Sequence, residues 1–114
     1  MEHKVHDDSG ITILDLSGEV DVSQAPQLRD ILVDLLEKHN GRLLINMEDV
    51  IYIDSAGLSV LIAAHRKAQN ANGFLGLSNP QVGVRKVFQL TRMSKVFQIF
   101  SSVEEGINTL KNGS

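Results

Sequence analysis

The chain contains no cysteine, which removes disulfides, thiolate zinc sites, iron–sulfur clusters and cysteine nucleophiles together. It has no tryptophan, one tyrosine and only two prolines in 114 residues. No repeat or low-complexity run interrupts it. Its apolar runs, such as Leu43-Leu44-Ile45, fall far short of the ~20 residues a membrane span needs, and Met1-Glu2-His3-Lys4 is too polar to open a signal peptide. A soluble, cytoplasmic chain without a membrane role is therefore expected. Neither a G-x-x-x-x-G-K-[ST] phosphate loop nor a G-x-S-x-G nucleophile elbow is present, so nucleotide hydrolysis and serine hydrolysis have no motif to stand on. What remains is an ordinary globular balance, 42% hydrophobic and 22% charged, in a length that makes one domain, residues 1–114.

The net charge of −3 conceals an asymmetry. Residues 1 to 57 hold twelve acids and four bases, a balance of −8, and residues 58 to 114 hold two acids and seven bases, a balance of +5. In one packed domain the halves intermix, so the split is read first as a mixed solvated surface and second as a bias toward oriented docking with a charged protein. Arg85, Lys86, Arg92 and Lys95 make at most a small basic patch, and the overall negative charge is wrong for binding driven by a phosphate backbone. Nucleic acid is not an expected partner.

Periodicity gives an alternation of strands and helices. Lys4 to Asp7 and Ile11 to Leu16 read as a hairpin around the turn triplet Asp8-Ser9-Gly10, followed by a polar loop over Glu19-Val20-Asp21-Val22-Ser23. Leu28, Ile31, Leu32, Leu35 and Leu36 form a helical stripe, with Ser23 as its expected cap, Pro26 in the first turn and Asn40-Gly41 as its stop. A short central strand, Leu43 to Met47, precedes a second helix through Leu58, Leu61, Ile62, His65 and Ala68. Phe74 to Leu77, then Val84, Val87 and Phe88, then Val96 to Phe100 read as strand, short helix and last strand. Ser102-Val103-Glu104-Glu105 has the form of a capping box opening a final helix. The expected class is α/β, with right-handed crossovers and helices packed on the sheet.

Ile53-Asp54-Ser55-Ala56-Gly57-Leu58 is the stretch with chemical interest. It joins a strand to a helix, so Ser55 falls at or next to the N-cap. One reading is that Ser55 only caps the helix and Gly57 relieves a tight approach. The other is that a hydroxyl at a helix N-terminus, beside free amides and the positive end of the dipole, is a place to add a phosphate and stabilise it. His3 and His6 read as a solvated tail rather than a metal site, and His65, on an apolar stripe, as a packing residue. No cofactor or metal is expected.

Asp54-Ser55-Ala56-Gly57-Leu58, with Leu44-Ile45-Asn46-Met47-Glu48-Asp49-Val50 and Ser17-Gly18-Glu19-Val20-Asp21 before it, resembles the bacterial anti-sigma-factor antagonists of the STAS domain family over nearly the whole chain. The resemblance implies a single STAS-like domain: a mixed sheet of about five strands flanked by about four helices, opening with an N-terminal hairpin. It implies that Ser55, the serine of the D-S-x-G motif, is the phosphoacceptor, and that Asp21, Asp54, Ser55, Ala56, Gly57, Leu58 and Ser59 meet the partner. That partner is an anti-sigma factor with serine kinase activity, which the unphosphorylated form binds so that a sigma factor is released. A phosphatase of the PP2C type restores the protein after phosphorylation, and no catalysis belongs to the chain itself. Ser59 departs from the glycine that the family often carries there and bears on partner choice. Aspartates also close loops, so Asp21 and Asp54 have turn chemistry as an equal reading. Two other readings stay open: a STAS subunit that regulates a transporter or signalling complex without phosphorylation, and an enzyme acting on a small phosphate ester. The oligomeric expectation is a monomer or weak dimer, since the hairpin leaves an edge strand exposed.

Overall fold

In the computed structural model, which describes residues 1–112, the chain opens with β1 (Glu2–Asp8) and β2 (Ile11–Val20). A two-residue turn joins them, with Ser9 at φ 55° and Gly10 at φ 83°. Two positive φ angles in succession give the twist that suits a tight hairpin, which is why a short polar residue and a glycine stand there. Then follow α1 (Ala25–Lys38), β3 (Arg42–Ile53), α2 (Ser55–Asn70), β4 (Phe74–Ser78), α3 (Val82–Leu90), a 3-10 turn (Met93–Lys95), β5 (Gln98–Phe100) and α4 (Val103–Lys111). The strands lie in the order β1-β2-β3-β4-β5, with β1 antiparallel to β2 and the other neighbours parallel. Among the described residues this is the α/β class expected, a mixed five-stranded sheet with four α-helices.

The sheet has two unequal cores. Leu14, Leu16, Leu43, Ile45 and Met47 pack against the stripes of α1, α2 and α3 on one face. On the other, Ile11, Ile13, Leu44, Phe74 and Phe100 meet Ile107, Leu110 and the partly buried Val103 of the single helix α4. Strands apolar on both sides are what a parallel sheet with helices on each face requires.

Several boundaries differ from expectation. β3 runs to Ile53 rather than Met47, and β2 to Val20 rather than Leu16. Register shifts set Asn46 and Asp49 of β3 against Asp15 and Ser17 of β2, and Val50 and Tyr52 against Gly18 and Glu19. Each inserts an extra residue into β3. Beyond the first shift, Met47, Val50 and Ile53 are buried while Glu48, Asp49, Ile51 and Tyr52 are exposed, so burial recurs every third residue instead of every second. Alternation is the sign by which a strand is recognised, and bulges erase it. Ser23 does not cap α1: the N-cap is Gln24, which makes no side-chain capping bond, and the Asp21 carboxylate instead closes the turn ahead of the helix, accepting the Ser23 and Gln24 amides at 3.0 and 3.2 Å. At α4 the Ser102 hydroxyl accepts the Glu105 amide at 3.0 Å, but Glu105 turns its carboxylate to the Ser101 hydroxyl, so the reciprocal half of the box is not the bond made. His3 and His6 belong to β1 rather than a tail, and His6 Nε2 lies 3.0 Å from Asp15 Oδ2. The last strand begins at Gln98, after the 3-10 turn consumes Met93–Lys95.

Candidate functional site

Parallel strands bring their C-terminal ends to one edge of a sheet, and loops at that edge are where such folds place ligands and partners. Here β3 extends past its last pairing with β4, at Asn46 and Ser78, by the seven residues 47–53, roughly 20 Å at the rise of a strand, and β2 runs beside it for the five residues beyond Asp15. The extension ends in two neighbouring loops, Asp21–Gln24 after β2 and Asp54 after β3.

Asp54 ties these loops together. One carboxylate oxygen accepts the Gly57 amide at 2.9 Å and so caps α2, and the other accepts the Val22 amide at 2.9 Å across 32 residues of sequence. The Asp54 amide in turn donates to the Val20 carbonyl at 3.3 Å. Asp54 is thus an anchor, half-buried, and its turn-forming reading is the one the geometry bears out. Gly57 sits beneath it. A Cβ built on Gly57 would stand 2.3 Å from the Val20 carbonyl oxygen, so only glycine allows the first turn of α2 to press on the end of β2.

Ser55 is the first residue of α2 and is exposed. Because Asp54 is the cap, Ser55 is not, and the capping reading of this serine is overturned. Its hydroxyl makes no side-chain hydrogen bond among the described residues, whereas its carbonyl accepts the Ser59 hydroxyl at 2.8 Å. Helix geometry leaves the amides of the first residues without intrahelical acceptors. Asp54 engages that of Gly57, so those of Ser55 and Ala56 remain to face solvent or a ligand at the positive end of the α2 dipole.

The residues expected to meet a partner divide. Asp21, Asp54, Ser55, Ala56 and Ser59 are exposed or half-buried around the α2 N-terminus. Gly57 and Leu58 are buried, Leu58 in the core between the sheet and its helices, so they shape the surface from beneath and offer no contact area. Three apolar residues escaped the sequence reading: Val22, Ile51 and Tyr52 are 68%, 63% and 50% exposed. Val22 is the residue whose amide Asp54 holds, and the others stand two and three positions before Asp54 on β3. The apolar run Ile51-Tyr52-Ile53 was the available signal, since two of its three members have no core to enter once β3 is bulged.

His65 lies at the far end of the same helix. Its ring meets Phe97 edge-on with centroids 5.4 Å apart, and Nδ1 is buried without a partner. Burial lowers its pKa below the ordinary 6.5. It is a packing residue, remote from Ser55. Among the described residues no cluster of histidine and carboxylate side chains is arranged to hold a metal ion, and no helix is long and apolar enough to cross a membrane.

Residues 3–106 match the family model described as the STAS domain. The anti-sigma-B factor antagonist of Bacillus subtilis is 33% identical over 94 residues, covering 82% of this chain and 85% of that protein. The crystal structure of an anti-sigma factor antagonist from Mycobacterium paratuberculosis superimposes with a TM-score of 0.88 at 23% identity, over 97% of this chain and 94% of that one. SpoIIAA, an anti-sigma factor antagonist, is similar in its unphosphorylated form with a TM-score of 0.74 at 22% identity, over 98% of this chain and all of that one. SpoIIAA of Bacillus in its phosphorylated form gives 0.70 at 22% identity, over 95% and 98%. At these identities the structural likenesses establish the fold.

Proposed function

Since the chain belongs to the STAS domain family, we propose that it is a partner-switching anti-sigma-factor antagonist whose state is set by a phosphate on Ser55. Its curated relatives are anti-sigma factor antagonists, regulators rather than enzymes. The observation that carries the reading is the division of labour at the head of α2: Asp54 does the capping, and the Ser55 hydroxyl is exposed and without structural duty. In the unphosphorylated state the edge around Ser55 presents an uncharged hydroxyl beside the half-buried Asp21 and Asp54 carboxylates, with Val22, Ile51 and Tyr52 exposed on the adjoining loop and strand end, a surface suited to close apposition with an anti-sigma factor. That partner, in this reading a serine kinase, releases its sigma factor on binding. It transfers the γ-phosphoryl group of ATP to the Ser55 oxygen, the hydroxyl proton leaves to the kinase, and ADP departs.

The phosphate adds a charge of about −1.5 to −2 and three strongly hydrated oxygens in the middle of the contact. Two local fields act on it. The α2 dipole and the amides of Ser55 and Ala56 favour an anion, and the Asp54 carboxylate next to it opposes one. The fold accommodates the group because it lies on the surface, whereas the complex must desolvate it. A 100-fold loss of affinity corresponds to only ~2.7 kcal/mol. Ser59, whose hydroxyl is bonded to the Ser55 carbonyl, stiffens the turn that the kinase approaches. A PP2C-type phosphatase reverses the step, and the cycle operates in the cytoplasm of a bacterium.

Incubation with the cognate kinase and ATP, followed by intact-mass and peptide analysis, tests the site. One phosphate on Ser55, absent in Ser55→Ala, is expected. Phosphate elsewhere, or undiminished in the variant, overturns the assignment. Co-purification separates the unphosphorylated alternative, a subunit regulating a transporter or signalling complex, because that role retrieves a membrane assembly instead of a soluble kinase.

A further inference from the structure

The seam between α1 and α2 holds an apolar slot of about 180 Å³. Leu32, Leu36, Val60 and Ala64 form its buried floor, Val33 and Ala63 its exposed lip, and Arg29 and Lys67 lie along its sides. It adjoins a wider cavity of about 540 Å³ that shares Leu36, Ala63 and Lys67 with it and is bounded by Arg66, Glu37, Asn40 and Asn70. Of the charged residues around both, three are cations and one is an acid. Lys67 Nζ stands 3.6 Å from Glu37 Oε1, and the guanidinium groups of Arg29 and Arg66 enter no ion pair among the described residues.

From the slot and its surplus of positive charge we infer that α1 and α2 bind a medium-chain carboxylate amphiphile, its alkyl tail along the slot and its carboxylate at Lys67 and Arg66. An apolar cavity of ~150 Å³ is large enough to take up a six-carbon ring. At the rise of a helix, the seven steps from Arg29 to Leu36 make a slot about 10 Å long, room for roughly eight carbons laid end to end. The floor is apolar and buried, and the head of the slot carries Lys67 and Arg66 beside Asn40 and Asn70, so a tail and a charged head are matched separately. A partner helix fits less well. Helix-in-groove docking needs a row of anchor pockets over two turns, and this seam has one narrow slot with a single exposed branched side chain, Val33, on its lip. The inference is independent of the role of Ser55, which heads α2 and lines neither cavity.

Titration of the full-length isotopically labelled protein with octanoate tests it, with butyrate and 1-octanol as the head-only and tail-only probes. Octanoate is expected to shift the amides of Leu32, Val33, Val60, Ala63 and Ala64 saturably, with octanol at least tenfold weaker and butyrate without effect. Ala63→Leu, which fills the slot from its exposed lip, should weaken octanoate at least tenfold. Lys67→Gln should weaken octanoate several-fold and leave octanol unchanged, which keeps the test decisive if Ala63→Leu disturbs the helices. No saturable shift at millimolar octanoate, equal shifts in Ala63→Leu, or octanol binding as well as octanoate would each overturn the proposal.

Discussion

Two helices in this molecule begin with a serine near the cap, and the serines have opposite fates. At α4 the Ser102 side chain is itself the cap, its oxygen occupied by the Glu105 amide. At α2 the cap is Asp54, and Ser55 follows it with its hydroxyl in solvent. A capping serine cannot be modified without surrendering an amide that the helix needs satisfied. A serine one position later can. Moving the capping duty to the preceding aspartate separates the stability of the helix from the chemistry at its end, and the same aspartate holds the neighbouring β2–α1 loop through Val22.

This comparison can be broken most sharply at Gly57. Gly57→Ala drives a methyl into the Val20 carbonyl oxygen, a backbone atom with little room to yield, and should destabilise the fold by about 3 kcal/mol in chemical denaturation; a loss under 1 kcal/mol would mean that the α2 N-terminus is looser than described. Asp54→Ala removes both the cap and the tie to Val22, with an expected loss of about 2 kcal/mol and increased amide exchange at Val22 and Gly57. Ser102→Ala should lose about 1 kcal/mol, whereas Ser55→Ala should stay within about 0.5 kcal/mol of the parent. Equal losses at the two serines would abolish the distinction between them.

The smallest effect concerns the other end of α2. The folded state holds His65 below its ordinary pKa of 6.5 by burial, so the unfolded chain binds the proton more readily. Stability from this group is intact above 6.5, falls as pH drops through that value, and levels off once the folded-state pKa has been passed. His65→Gln should flatten this part of the pH dependence of the melting temperature; an unchanged slope would show that burial of His65 does not contribute to it.

Much of the fold was legible because α1, α2 and the first half of β3 obey simple periods. Leu28, Leu32, Leu35 and Leu36 all reach the core that their spacing predicts, and Asn40 and Gly41 both adopt the left-handed conformation expected of a helix stop. The second half of β3 was not legible, since its two bulges replace alternation by a spacing of three. Ser23 looked like a cap because it is a serine before a helix, yet Asp21 reaches two amides from farther back. At the site, the position of Ser55 at the head of α2 followed from the strand-to-helix switch, while the tie from Asp54 to Val22 spans 32 residues and has no local signature.

The separation of fold from switch is tested most directly by preparing the protein quantitatively phosphorylated on Ser55 and measuring two quantities side by side. The melting temperature should move by no more than about 4 °C, the equivalent of under ~1 kcal/mol for a domain of this size, while affinity for the anti-sigma factor falls about 100-fold. A phosphorylated protein that melts far lower, or that binds the anti-sigma factor as tightly as before, would contradict the account.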